Sequence, residues 1–112
     1  MRTVPDFGAV DALLGPLATH SFYLAWPDPA SGRAHARMFT RLAAGGEDPA
    51  TGSAAGPLCA YLAQRTGCGR VEITQGVEMG RPSLLRAEVE EQGIRVGGDV
   101  VLLVEGALTL GP

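Results

Sequence analysis

Residues 52–65 include Ala54, Ala55, Leu58, Cys59, Ala60, Tyr61, Leu62 and Ala63, so a helix there is apolar on nearly every side. A helix of that kind is expected to be enclosed by other elements rather than laid on a surface. Thr51, Gly52 and Ser53 mark its start. Pro57 falls early, where its missing N–H does least harm. Gly67 and Gly69 supply the backbone freedom that ends a helix. Most of what flanks it should therefore be sheet.

The flanking sequence reads that way. Asp11-Ala12-Leu13-Leu14 predicts a short helical turn, stopped by Gly15-Pro16. Residues 21–26 predict a strand ended by Pro27-Asp28-Pro29, and 30–33 a turn. Ala34, Ala36, Met38 and Thr40 alternate with His35, Arg37 and Phe39, predicting a second strand that pairs back as a hairpin. Strands are also expected at 71–74, 83–90 and 94–96. Residues 75–82 form a loop, and Gly97-Gly98-Asp99 a turn. The apolar stretches 100–105 and 107–110 are expected to add strands that close the sheet. The fold class is α+β: a curved, mostly antiparallel sheet of about six strands wrapped around one central buried helix, in a single domain over 1–112.

At 112 residues the chain has enough surface to bury for one core. All nine basic residues are arginines, net charge is −3, and no basic stripe is interleaved with aromatics, so nucleic acid is not an expected partner. No apolar run reaches the length of a membrane-spanning helix, and none is expected. Residues 1–7 lack an apolar core of signal-peptide length, which makes a cytoplasmic protein the expectation. Cys59 and Cys68 do not form a CxxC, and no His lies at metal-ligand spacing, so neither a metal nor a redox cofactor is expected. Cys59, within the apolar helix, is expected to be buried.

The chemistry concentrates at Glu47-Asp48-Pro49-Ala50-Thr51-Gly52-Ser53. The first N–H groups of a helix have no intrahelical partner, and with the helix dipole they attract an anion. Gly52 allows close approach to the backbone, Ser53 adds a hydroxyl, and Asp48 stands near enough to act as a general acid or base. Asp, Thr and Ser in this position also serve as simple helix caps, and spacing does not separate the two readings. The stretch is neither a phosphate-binding Gly-Lys-Ser/Thr loop nor a Gly-x-Ser-x-Gly elbow. His20 and His35 stand alone and are expected to be surface or satisfied histidines. Arg81 suits an anion or a structural ion pair equally. Tyr61, Phe39 and Trp26 are expected as core or edge aromatics.

Arg37-Met38-Phe39, Glu47-Asp48-Pro49-Ala50-Thr51-Gly52-Ser53-Ala54, Tyr61-Leu62, Gln75-Gly76 and Met79-Gly80-Arg81-Pro82-Ser83 occur in an order that resembles the PhzF-like (phenazine biosynthesis-like) proteins. Val96-Gly97-Gly98 and Val104-Glu105-Gly106 also fit. The resemblance covers nearly the whole chain but only the C-terminal half of the family pattern. It implies a diaminopimelate-epimerase-type fold, in which two similar halves face each other across a cleft. It also implies cofactor-free isomerase or epimerase chemistry on a small carboxylate-bearing molecule. By position, Asp48 is the implied catalytic acid facing the cleft and Gly52 and Ser53 the implied substrate-binding residues, while the resemblance gives the principal acid/base as a Glu of the family's first half. The Ser-Glu-Thr and Gly-His-Pro-Thr segments of the family's first half are absent from this sequence. The expected partner is therefore a complementary N-terminal half or a second copy of the chain. The alternative is a non-catalytic anion-binding or structural remnant.

Overall fold

The computed structural model describes residues 3–111. The first helix, α1 (Phe7–Leu14), starts four residues before the expected turn. Its N-cap explains the longer start: the Asp6 carboxylate accepts hydrogen bonds from the Gly8 and Ala9 amides. A hairpin follows, β1 (Ser21–Asp28) and β2 (Arg33–Thr40), in the register Ser21↔Thr40 to Asp28↔Arg33. Pro27 is tolerated because β1 is an edge strand, where the missing N–H need not serve a ladder.

The acidic segment contains a two-residue strand that sequence reading missed, β3 (Glu47–Asp48), paired with Met38 and Phe39 of β2. Helix α2 (Gly52–Thr66) ends at Gly67, whose left-handed backbone (φ 76°) turns its N–H onto the Ala63 carbonyl. Pro57 lies inside the helix, past the first turn. Then come β4 (Arg70–Gln75), β5 (Ser83–Glu90) and β6 (Gly93–Gly98). The sheet runs β1-β2-β4-β5-β6, with β3 beside β2. Only the β2–β4 pair is parallel, because α2 forms the crossover between those strands.

The α+β class and the mostly antiparallel sheet agree with the sequence reading, but enclosure of the helix is partial. Ala55, Gly56, Cys59 and Leu62 of α2 are buried, while Pro57 and Tyr61 are exposed. The buried face meets Ala34 and Ala36 of β2, Val71 and Ile73 of β4, and Leu85 and Ala87 of β5. Alanines dominate this contact, so helix and sheet approach closely. Gly56 faces β6, where a Cβ would make ordinary van der Waals contact with Val96 at 3.6 Å and Ile94 at 3.8 Å.

The missing cover is explained by the chain end. Residues 99–110 form no strand, contrary to expectation, and Gly97-Gly98 closes β6 instead of making a turn. Val100, Val101, Leu102, Leu103, Val104, Leu108 and Leu110 are 77–91 % exposed. A strand needs a neighbour to take its backbone hydrogen bonds, and this segment pairs with none of the described strands.

Candidate active site

The candidate site sits where β3, the start of α2 and the end of β4 converge. Gln75 ends the apolar alternation Val71, Ile73, Gln75 on the helix-facing side of β4 and is 0 % exposed. A buried amide must find partners for two donors and one acceptor group. Its Nε2 donates to the Asp48 carbonyl at 2.7 Å and to the Thr51 hydroxyl at 2.9 Å. Its Oε1 accepts from the Tyr23 hydroxyl at 2.9 Å and the Thr51 amide at 3.3 Å. Three elements are thereby tied to one side chain.

Thr51 occupies the N-cap position of α2 without making a side-chain cap. Its hydroxyl instead donates to Asp48 Oδ2 at 2.6 Å. No cap therefore covers the amides at the exposed start of the helix, Gly52 and Ser53. Gly52 lines a depression of ≈ 520 Å³ together with Ala50, Pro82, Ser83 and Gly97-Gly98. Asp48 and Ser53 do not line it, so Asp48 reaches the helix start through Thr51 rather than across that depression.

Behind this layer, Glu47 points to the opposite face of the sheet. Arg37 donates to both its carboxylate oxygens, Nε at 2.8 Å and Nη2 at 2.9 Å, with the guanidinium side chain 6 % exposed. The Glu47 hydrogen bond raises the Arg37 pKa above its ordinary value. His35 Nε2 meets Glu78 Oε1 at 2.9 Å. Burial pushes the Glu78 carboxyl up, but the His35 hydrogen bond and the nearby positive charge outweigh it and leave the pKa lowered. Strand β3, which carries Asp48, and the segment after Gln75, which carries Glu78, are thus anchored by charge on the far side of β2. Gly76 closes the arrangement at φ 78°: a Cβ there would lie 2.3 Å from the Arg81 carbonyl oxygen and 2.8 Å from that of Pro49.

The Tyr23 pKa is raised to about 12, first by burial and then by the negative charge of Asp48. Among the described residues no three His, Cys, Asp or Glu side chains gather into a metal-sized group. His20 is exposed and 4.0 Å from Asp11. Phe39 is buried, whereas Tyr61 and Trp26 are exposed. Sequence reasoning singled out Asp48, Gly52 and Ser53, of which only Gly52 lines the depression, and it did not pick out Tyr23 or the contacts of Gln75. The available signal was a glutamine at a core-facing position of an otherwise apolar strand.

Residues 3–106 match the family described as phenazine biosynthesis-like protein. The chain belongs to that family. Among the relatives of this phenazine biosynthesis-like chain is a trans-2,3-dihydro-3-hydroxyanthranilate isomerase of Pseudomonas fluorescens. It is 43% identical over 86 residues, which is 70% of this chain and 31% of the relative. The enzyme of that name from Pseudomonas aeruginosa is 49% identical over 63 residues, 54% of this chain and 23% of its own length. An uncharacterized isomerase of Mesorhizobium japonicum is 41% identical over 83 residues, covering 66% of this chain and 28% of its own. A solved structure of a "Predicted Epimerase" from Pseudomonas aeruginosa aligns with a TM-score of 0.60 at 34% identity, over 98% of this chain and 38% of that one. The chain therefore spans about a quarter to two fifths of the length of the relatives it matches. Isomerase and epimerase are the activities these relatives are named for, and the mixed α+β fold agrees with the solved neighbour.

Proposed function

We propose that the chain forms one wall of a two-sided, cofactor-independent isomerase site. Asp48 is the acid/base that moves a proton on a small carboxylate-bearing substrate. The amides of Gly52 and Ser53 hold the substrate carboxylate, aided by the positive end of the α2 dipole. A second acid/base faces Asp48 from a complementary half or from another copy of the chain. Returning a proton to the opposite face of a carbon needs a donor on that face, which Asp48 alone does not supply.

The observation that supports this reading best is the direction of the Thr51 hydroxyl. It serves Asp48 at 2.6 Å and leaves the start of α2 without a side-chain cap. An ordinary cap would have used that oxygen on the helix amides. The names of the relatives add trans-2,3-dihydro-3-hydroxyanthranilate as the first substrate to try.

The test is deuterium incorporation from D2O into that compound, read by mass spectrometry, with the chain alone and with a complementary N-terminal half added. Asp48→Asn is expected to lower exchange by about 10²-fold or more, the usual scale for a lost general acid/base, with binding little changed. Equal exchange in wild type and Asp48→Asn removes Asp48 from the mechanism. The short span of the chain relative to its matches keeps a second reading in play, a non-catalytic anion-binding domain. Carboxylate binding with no exchange under any of these conditions favours that reading.

A further inference from the structure

We infer that Gln75 is a positioning residue that acts through Thr51 to fix the Asp48 carboxylate and present its Oδ1. The inference rests on the proposed proton transfer by Asp48 and adds to it the side chain that holds the acid/base in place.

Asp48 lies on a strand of two residues, so its own element restrains it little. A carboxylate on such a support rotates at χ1 and χ2 unless another group grips it. The Thr51 hydroxyl supplies the grip, donating to Oδ2 at 2.6 Å. Oδ1 has no hydrogen-bond partner among the described residues, which makes it the oxygen free to take or give a proton.

Gln75 in turn fixes the Thr51 hydroxyl. The two ends of a glutamine amide look alike, and two backbone groups decide here which is which. The Thr51 amide N–H only donates, so the atom 3.3 Å from it is the oxygen. The Asp48 carbonyl only accepts, so the atom 2.7 Å from it is the nitrogen. That nitrogen lies 2.9 Å from the Thr51 hydroxyl oxygen and can only donate to it. The hydroxyl proton is then left for the Asp48 carboxylate. One buried amide thus holds the backbone of Asp48, the backbone of Thr51 and the hydroxyl that links the two residues. The Tyr23 hydroxyl secures the amide from β1 by donating to its oxygen. A reacting group misplaced by about 1 Å can lose on the order of 10²-fold in rate, so this grip bears on the proposed chemistry without touching substrate.

The test reads the position of Asp48 and the rate separately. In wild type, the NMR couplings between Hα and Hβ of Asp48 should report a single staggered χ1. In Gln75→Met and in Thr51→Val they should average over rotamers, whereas Thr51→Ser, which keeps the hydroxyl, retains the wild-type pattern. Under the conditions that give deuterium exchange, Gln75→Met should lower the rate at saturation by about tenfold, short of the roughly 10²-fold for removing the acid/base itself. The half-saturating concentration should change little. The double variant Gln75→Met with Thr51→Val should lose little more than the larger single loss, since both changes act through one hydroxyl. A merely structural role would raise the half-saturating concentration and multiply the two losses. Unchanged couplings in Gln75→Met, or multiplied losses in the double variant, overturn the inference. If Gln75→Met does not fold, the side-chain amide of wild-type Gln75 decides: both its N–H protons should exchange slowly with solvent, and fast exchange of either overturns the inference. Failure of the proposed function reads differently: wild type gives no deuterium exchange, while its Asp48 couplings still report one rotamer that Gln75→Met or Thr51→Val releases.

Discussion

Gly76 and Tyr23 lie on either side of Gln75, and each makes the site's rigidity measurable. At Gly76 a side chain meets two carbonyl oxygens of the backbone, neither of which can swing aside. Gly76→Ala also forces alanine into the left-handed region at φ 78°. The expected loss in chemical denaturation is on the order of 3 kcal/mol or more; a loss under about 1 kcal/mol would show that the turn yields. Tyr23 gives a pH prediction. Its folded pKa of about 12 lies above the ordinary value of 10.0, so the folded state favours the protonated phenol. That contribution is complete below pH 10 and is lost as pH rises towards 12. Two pKa units correspond to about 2.7 kcal/mol, and partial exposure reduces this to on the order of 2 kcal/mol. The stability difference between wild type and Tyr23→Phe should therefore shrink between pH 9 and 12. A constant difference across that range contradicts it.

Among the elements, β3 has the least sequence signal and the firmest anchorage. Two residues cannot hold a strand by backbone pairing alone. The paired hydrogen bonds from Arg37 to Glu47 hold it, and with it Asp48, against β2. Arg37→Met leaves the largely shielded Glu47 carboxylate, 11 % exposed, without its charge partner, at a cost of about 3 kcal/mol. Adding Glu47→Leu should recover much of that loss, because an apolar pair of similar size is often no worse than a buried ion pair. A double variant as unstable as the single would show that Arg37 acts through other contacts. The α2 helix tests the packing. Leu62 is its largest buried apolar side chain, set against β4 and β5. Leu62→Ala is expected to cost about 2–5 kcal/mol by thermal or chemical unfolding. Tyr61→Ala, on the exposed side, should change little unless a partner covers that face.

The whole molecule carries more surface than a chain of its mass ordinarily exposes. Its 7859 Å² compares with about 5,800 Å² expected for 11.6 kDa. Its radius of gyration is 16.3 Å, against about 13 Å for a compact chain of this length. Residues 99–110 are exposed throughout, and so is one side of α2. Seven exposed Val and Leu side chains within residues 100–110 are more than a solitary domain keeps in water. Self-association, or capture of a complementary half, is the expected outcome. Sedimentation over a range of concentrations should show species larger than a monomer, and removal of residues 100–110 should reduce them. A monomer at every concentration contradicts this.

The boundaries of the helix and strands from residue 52 to residue 96 were nearly legible, because periodicity and glycine placement are local properties of a sequence. The α+β class followed from them. Asp48, Gly52 and Ser53 were visible as a cluster since they are neighbours along the chain. What local pattern could not supply was coverage. An apolar sequence predicts enclosure, but α2 is enclosed on one face only, because residues 100–105 and 107–110 form no strand and add no cover. Nor could spacing choose between cap and open helix start at Thr51. That choice lies in the partners of one hydroxyl, which are Asp48 Oδ2 at 2.6 Å and the amide of Gln75, 24 residues away in the chain and 2.9 Å away in space. Sequence determines which groups are available, whereas tertiary contact decides which of them hydrogen-bond to each other and which remain open to a ligand.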